Sequence, residues 1–218
     1  MKVYHYFRSS ASYRVRIALN LKNIPHELVQ IHLIKQGGEQ LQAAYRAINP
    51  DGLVPALVEG DGAEQHIVNQ SLAIIEYLDE THPTPALLPA NAADRAYVRA
   101  IALQIACDIH PLNNLRVLRY LTHDLKVAEE DKNAWYRHWC EQGLAALEKT
   151  LASDKRVGQF CYGDTPGLAD CCLVPQVYNA LRLKSDLSGM PTILRINAAC
   201  LALPEFARAV PEAQAEAE

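Results

Sequence analysis

The chain of 218 residues has no long hydrophobic run, and none of its apolar stretches approaches the roughly 20 residues needed to span a bilayer. It also has no signal-peptide pattern, because Met1 and Lys2 lead directly into a strand-like run from Val3 to Phe7 without a small-residue cleavage site. The sequence therefore predicts a cytoplasmic protein with no membrane partner.

Excess charge of either sign is scarce as well. The 21 Lys and Arg residues oppose 25 Asp and Glu residues, which gives a net charge of -4 with His neutral. A weakly acidic chain has no general attraction for nucleic acid or for an anionic membrane, so no nucleic-acid partner is expected. Any anion-binding site must then be a local arrangement of donors and cations.

The cysteines lack both the CxxC spacing and any metal-ligand spacing, and the histidines show no metal spacing either. No metal site is therefore predicted, and the cysteines are interpreted as reduced, mostly buried apolar side chains. All six lie in the second half of the chain: Cys107, Cys140, Cys161, Cys171, Cys172 and Cys200.

With 50% of its residues hydrophobic and 21% charged, the chain has the composition of an ordinary globular protein. Up to about residue 80, short β-rich runs alternate with helical patterns, which is typical of a small α/β domain. The predicted order β-α-β-α-β-β-α is thioredoxin-like. The predicted elements are residues 2–7, 12–21, 27–33, 40–47, 53–58, 65–68 and 70–80.

Three prolines crowd the segment after Thr81, where neither regular helix nor central strand is expected. Residues 82–90 are predicted to link an α/β thioredoxin-like domain at 1–81 to an all-α domain at 91–218. The helices predicted for the second domain are 94–122, 129–152, 168–183 and 191–201. Asp170, in the first turn of the third of these, is interpreted as a helix-capping residue and not as a catalytic one.

A run of serines lies where the first strand ends and the first helix begins. Ser9, Ser10 and Ser12 offer hydroxyl donors there, and the backbone N–H groups and positive end of the helix favour a thiolate or a carboxylate. Serine before a helix is more often an N-cap than a catalytic group, so this run alone favours a structural interpretation.

A second strand-to-helix junction, at Gln70 and Ser71, offers another serine N–H and hydroxyl to a carboxylate. Between the two junctions, a cis Val54–Pro55 bond would leave the Val54 backbone groups able to pair with a peptide-like ligand in β fashion. Together these features predict a site for a peptide that carries carboxylates and a thiol.

The run from Tyr6 to Leu19, with Arg8-Ser9-Ser10-Ala11-Ser12 at its start, resembles the signature of the zeta-class glutathione transferases, the maleylacetoacetate isomerases. The resemblance implies the glutathione transferase fold, glutathione as cofactor, a homodimer, and isomerisation of maleylacetoacetate to fumarylacetoacetate in aromatic amino-acid catabolism. Further matches run nearly end to end: 49–50, 54–57, 70–78, 83–89, 108–114 and 168–176.

The resemblance also implies roles for individual residues. Ser9 in the first place and Ser10 in the second stabilise the glutathione thiolate, with Ser12 in reserve. Arg8, beside the serines, and Arg182 bind the two substrate carboxylates, because guanidinium suits bidentate carboxylate recognition. The implied glutathione contacts are Ser9, Ser10, Gln40, Val54, Gln70 and Ser71 in the first domain and His110, Asn114, Leu115 and Arg116 in the second.

One residue of the serine run departs from the family pattern. Ala11 stands where many members of the family have cysteine, so side reactions assigned to that cysteine should be absent. In the second domain, His110, Asn114 and Val117 are spaced to share one side of a helix with Asn113, which predicts a polar stripe. Pro111 should disturb that helix locally.

Several alternatives remain open from the sequence. A maleylpyruvate isomerase of the gentisate pathway differs only in the enone diacid that it takes, and a conjugating or peroxidase-type glutathione transferase is the next enzyme class. A binding module with the same fold and no catalysis is disfavoured, because the serines, Gln70-Ser71 and both arginines are present.

Overall fold

The chain divides between Leu87 and Leu88 in the computed structural model, which describes residues 1–215 and 217. The first unit comprises Met1–Leu87 together with the segment that begins at Leu203, and the second unit is Leu88–Ala202. In the described part of the chain, no helix is both long and apolar enough to cross a membrane.

A four-stranded sheet forms the centre of the first unit, with the order β2-β1-β3-β4. Strand β1 runs parallel to β2 and antiparallel to β3, and β3 runs antiparallel to β4. Val3 and Leu57, which pair across β1 and β3, are fully buried. The strands are β1 (Lys2–His5), β2 (Glu27–Gln30), β3 (Ala56–Glu59) and β4 (His66–Asn69).

Three helices accompany this sheet: α1 (Ser10–Leu21), α2 (Ala43–Arg46) and α3 (Ser71–Thr81). Helices α1 and α3 pack against each other, and the apolar residues predicted for them, among them Ile17, Leu19, Ile75 and Leu78, are buried. The predicted thioredoxin-like order of elements is confirmed. The differences from the prediction are local: β1 and β2 end earlier than predicted, β3 begins later, and 40–47 is a 3₁₀ turn followed by the short α2.

The second unit contains five helices in its described residues: α4 (Ala92–Leu103), α5 (Leu115–Arg119), α6 (Glu129–Ser153), α7 (Leu168–Arg182) and α8 (Pro191–Leu201). Helix α7 packs on α4, α6 and α8 and is buried along most of its length. Asp170 caps α7 as predicted, because its carboxylate accepts hydrogen bonds from Gly167 N–H and Cys161 N–H, both at 2.9 Å. All six cysteines lie among the described residues and none of them forms a disulfide; Cys107 is exposed and the other five are buried.

The single helix predicted over 94–122 is wrong. After α4 the chain forms a π-helical turn at Gln104–Ile109 and a 3₁₀ turn at His110–Asn113, and α5 starts only after Asn114. Asn114 has an extended backbone (φ -68°, ψ 146°), so the residues of the predicted polar stripe do not share one helical face. Pro111 supplies a reason for the break, because it has no N–H to donate within a helix.

The all-α prediction for 91–218 needs correction at its end. Helix α9 (Pro204–Ala207) and the turn that follows it belong to the first unit. Phe206 is fully buried there, and the Arg16 guanidinium donates from Nε to the Ala209 carbonyl at 3.0 Å. The segment that begins at Leu203 packs on α1 through apolar side chains and through carbonyls that accept hydrogen bonds from α1.

The predicted linker, 82–90, is divided between the two units. Lys22, at the end of α1, donates from Nζ to the carbonyls of His82 and Pro85 and pairs with Asp79 at 2.7 Å. Asp79 in turn accepts from Leu87 N–H at 2.8 Å. These bonds bind the first half of the predicted linker to the first unit.

Candidate active site

Ser9 occupies the N-cap of α1. Its backbone is extended (φ -69°, ψ 121°), and its Oγ accepts a hydrogen bond from Ser12 N–H at 3.2 Å. A hydroxyl that accepts in this way still has its own hydrogen to donate. Ser9 is half-buried, so this donor, at the positive end of α1, remains within reach of a ligand.

The other two serines of the run differ from Ser9. Ser10, the first residue of α1, is buried. Ser12 is fully buried, and its Oγ accepts from Tyr6 N–H at 3.3 Å. Ser12 therefore ties α1 to the end of β1, and its reserve role as a thiolate donor does not fit its position.

The start of α3 is the second anion-binding position that the sequence predicts. Gln70, the exposed residue before this helix, has a positive φ of 70°. A positive φ is uncommon for residues other than glycine, and such residues cluster at functional sites. Ser71 is the first helical residue, and its Oγ accepts from Arg14 Nη1 at 3.2 Å. Arg14 lies on α1 and is 2% exposed.

Strand direction brings the two helix starts to one edge of the sheet. Strands β1 and β4 are both antiparallel to β3, so they run in the same direction and their carboxyl ends meet at the same edge. Helix α1 follows β1, and α3 follows β4. Ser9 and Ser71 therefore begin two helices that point their positive ends to the same side.

Val54 lies beside this edge, two residues before the start of β3. The Val54–Pro55 bond is cis, as the sequence-based hypothesis required. The carbonyl of the preceding Leu53 accepts from Tyr45 Oη at 2.6 Å and from Asn49 Nδ2 at 2.8 Å. In the part of the chain that the structure describes, Val54 makes no backbone hydrogen bond, so its N–H and C=O are available to an extended ligand.

Gln40 is buried in the loop that follows β2. Its Nε2 donates to the Leu33 carbonyl at 3.4 Å, and its buried Oε1 has no hydrogen-bond partner among the described residues. Native structures leave few buried polar atoms unsatisfied, so this oxygen is suited to accept a hydrogen bond from a bound group. The loop is closed by His32, whose N–H donates to the Glu39 carboxylate at 2.6 Å.

The remaining predicted residue of the first unit, Arg8, is exposed and lies next to Ser9 in the chain. Its guanidinium carbon is 4.9 Å from the centre of the Phe7 ring. A guanidinium over an aromatic face is attracted to the ring by a cation–π interaction.

In the second unit, the predicted residues lie in two places. Half-buried His110 opens the 3₁₀ turn, and Asn114 caps α5 by accepting from Arg116 N–H at 3.1 Å. Leu115 is the first residue of α5. Arg182 is exposed in the last turn of α7.

Sequence reasoning missed Arg14. A buried arginine on a helix cannot be told from an exposed one by composition or spacing. The available signal was its position one helical turn after Ser10, on a helix expected to be amphipathic.

Comparison with known proteins gives a consistent result. Residues 3–86 match the family described as glutathione S-transferase, N-terminal domain. A protein of Vibrio cholerae named "Probable maleylacetoacetate isomerase" is 52% identical over 215 residues, which cover 99% of this chain and 97% of that protein. A maleylpyruvate isomerase of Ralstonia sp is 49% identical over 214 residues, or 98% of each chain.

Solved structures agree with these relatives. The structure of a maleylacetoacetate isomerase from Methylobacterium extorquens with bound malonate and glutathione is 40% identical and aligns over the whole of both chains with a TM-score of 0.94. The similarity therefore includes both units of the chain.

Proposed function

The chain belongs to the zeta-class glutathione transferases, the family of the maleylacetoacetate isomerases, and from this we propose that it catalyses the glutathione-dependent cis–trans isomerisation of maleylacetoacetate to fumarylacetoacetate. The observation that carries the proposal is the pair of helix starts at one edge of the sheet. One presents the Ser9 hydroxyl, and the other presents Ser71 backed by Arg14.

The residues present fit glutathione. The unsatisfied Oε1 of Gln40 and the uncommitted backbone of Val54 suit a peptide, and the two helix ends suit a thiolate and a carboxylate. When bound, glutathione supplies the sulfur that adds reversibly to the cis double bond of the enone diacid and so permits rotation about it.

Ser9 has the task of favouring the ionised sulfur. A thiol with a pKa near 8.5 is only about 3% ionised at pH 7. Lowering that pKa by about two units requires roughly 2.7 kcal/mol of preferential thiolate stabilisation. A hydroxyl donor and a helix N-terminus together can supply thiolate stabilisation of this magnitude. Ser10 is proposed as the second donor.

Arg8 and Arg182 are proposed to bind the two carboxylates of the substrate. Negative charge also develops on the conjugated oxygen during addition, and donors placed around it lower the barrier. The further proposed glutathione contacts are Gln40, Val54, Gln70, Ser71, His110, Asn114, Leu115 and Arg116. Malonate and glutathione occur together in the Methylobacterium extorquens relative, which supports a site for a dicarboxylate beside the tripeptide.

Maleylpyruvate is the second candidate substrate, supported by the similarity to the Ralstonia enzyme. The deciding experiment compares initial rates with maleylacetoacetate and maleylpyruvate, with and without glutathione. We expect isomerisation only with glutathione and a higher kcat/KM for maleylacetoacetate. Full activity without glutathione, or turnover confined to aryl halides and hydroperoxides, would overturn the proposal.

We further propose that the enzyme acts as a homodimer in the cytoplasm, as the family resemblance implies. Light scattering on the purified chain is expected to give twice the mass of 24.2 kDa. A monomer at assay concentrations would contradict the first part, and export of the natural protein from the cell would contradict the second.

A further inference from the structure

Arg14 is a buried cation that contacts the proposed glutathione site from inside the protein. It is 2% exposed, and its Nη1 donates to Ser71 Oγ at 3.2 Å, across 57 positions of sequence. Ser71 is 6% exposed and opens α3. The guanidinium therefore lies behind the serine, seen from the edge of the sheet where a ligand would bind.

This hydrogen bond determines what Ser71 can do. A serine hydroxyl has one hydrogen to donate and two lone pairs, whereas guanidinium only donates. Arg14 takes up a lone pair of Ser71, so the Ser71 hydrogen must point to another acceptor. The nearby positive charge also polarises the O–H bond, which strengthens its donation to an anion.

We propose that Arg14 is a positioning residue for glutathione, which holds Ser71 as a hydrogen-bond donor to one of the two carboxylates of the tripeptide. Arg14 acts through Ser71 and does not touch the ligand. The inference rests on the proposed function, since it assumes that glutathione binds at this edge of the sheet. It adds Arg14 as the residue that makes the start of α3 selective for an anion.

Arg16 provides a matched comparison on the same helix. It is equally buried, at 2% exposure, but donates to the main-chain carbonyls of Phe7 at 2.9 Å and Ala209 at 3.0 Å. Its Nη1 also lies 3.4 Å from His5 Nδ1, and none of these three partners is a predicted ligand contact. Loss of Arg16 should therefore lower stability without changing the preference for a ligand carboxylate.

The first measurement is glutathione affinity by calorimetry for Arg14→Gln, Arg14→Lys and Arg16→Gln. A hydrogen bond to a charged group contributes enough that Arg14→Gln should weaken binding about tenfold or more. Arg14→Lys keeps the charge and should lose less. In isomerase assays, Arg14→Gln should raise the KM for glutathione and leave kcat within about twofold.

The second measurement replaces the ligand. The first analogue is 4-aminobutyryl-cysteinyl-glycine, which lacks the α-carboxylate of the γ-glutamyl residue. The second is the glycine monoethyl ester of glutathione, in which the glycine carboxylate is blocked. We expect the Arg14→Gln penalty to disappear with one analogue and to persist with the other. A penalty that persists with both, or that equals the Arg16→Gln penalty, would overturn the proposal.

If Arg14→Gln does not fold, a double-mutant cycle replaces it. The affinity loss of Arg14→Lys should vanish in the Ser71→Ala background, and an unchanged loss would refute the inference. The binding readout needs no substrate, so a carboxylate-selective Arg14 effect without isomerisation would refute the isomerase function alone. A wild-type chain that does not bind glutathione would refute both.

Discussion

Ser9 caps α1 with the same hydroxyl that is proposed to stabilise the glutathione thiolate. Its oxygen accepts from Ser12 N–H and caps α1, which leaves only the hydroxyl hydrogen for a ligand sulfur. In the proposed mechanism, a substitution of Ser9 therefore changes both the stability of α1 and the stabilisation of the thiolate. The two effects can be separated by choosing substituents that differ in only one of them.

We expect Ser9→Ala to lower kcat by at least about tenfold, because loss of one charge-stabilising donor is usually worth more than that. Ser9→Gly should lower kcat equally while costing only a few tenths of a kcal/mol in capping, and Ser9→Thr should retain activity. Thiolate absorbance of bound glutathione measures the ionised fraction directly. A Ser9→Gly enzyme that still ionises glutathione would assign the role to Ser10.

His5 shows how burial makes a single side chain sensitive to pH. It is fully buried at the end of β1, with Arg16 Nη1 at 3.4 Å from its Nδ1. Burial first, and then the positive charges of Arg16 and His26, lower the pKa of His5 from 6.5 to about 3. The unfolded chain therefore binds a proton at His5 over a pH range where the folded chain does not.

The stability contributed by neutral His5 is complete above its unfolded pKa and is lost as pH falls toward its folded pKa. Between about pH 7 and pH 5, this loss amounts to about 2 kcal/mol for a single group. In urea unfolding, we expect the free energy of unfolding of His5→Gln to fall by about 2 kcal/mol less than that of the wild type between pH 7 and pH 5. The exposed His123→Gln variant is the control, and equal pH profiles for all three proteins would contradict the assignment.

The loop between β2 and α2 contains three consecutive residues with positive φ angles, Gln36, Gly37 and Gly38. Gly37 and Gly38 both have positive φ angles, of 79° and 105°, which favour glycine. They differ in their surroundings. A Cβ at Gly38 would lie 2.7 Å from Gln40 Nε2, whereas a Cβ at Gly37 would meet nothing within 4 Å.

This pair allows the contribution of Gln40 to be tested without changing it. Gly37→Ala and Gly38→Ala should each destabilise the fold by about 1 kcal/mol, because alanine is strained at positive φ. Only Gly38→Ala should also raise the KM for glutathione, since the Gln40 amide must move aside. Equal KM values for the two variants would remove Gln40 from the proposed binding site.

The whole chain is organised so that its last segment completes its first unit. Phe206 fills a fully buried position, and Arg16 and Asn20 on α1 donate to the carbonyls of Ala209 and Glu205. Helix α1 carries Ser9 at one end and these contacts along its length. The segment from Leu203 onward therefore supports the helix that begins at the proposed site.

We expect Phe206→Ala to lower the free energy of unfolding by about 3–5 kcal/mol, the usual cost of removing a buried aromatic ring. Arg208→Ala, at an exposed neighbouring position, should change it by less than about 0.5 kcal/mol. Chemical denaturation measures both. Similar unfolding midpoints for the two variants would show that the last segment is dispensable for the first unit.

The order of strands and helices in the first unit, the Ser9 cap of α1 and the Asp170 cap of α7 could all be predicted from the sequence. Each depends on residues a few positions apart: alternation within a strand, apolar spacing along a helix, or a polar side chain beside free N–H groups. The family signature also lies in such short runs. Local spacing was sufficient for these features because the interacting groups are neighbours in the chain.

Three features depended on tertiary packing. Arg14 meets Ser71 across 57 positions, Arg16 meets Ala209 across 193, and the chain leaves α-helical geometry from Gln104 to Asn114 although its residues have helical spacing. No local pattern encodes which distant carbonyl or hydroxyl will satisfy a buried guanidinium, because that choice depends on which helices pack together and how closely. The sequence could therefore indicate the serines that are proposed to bind the ligand, whereas only the folded structure showed that a buried arginine donates to one of them, Ser71.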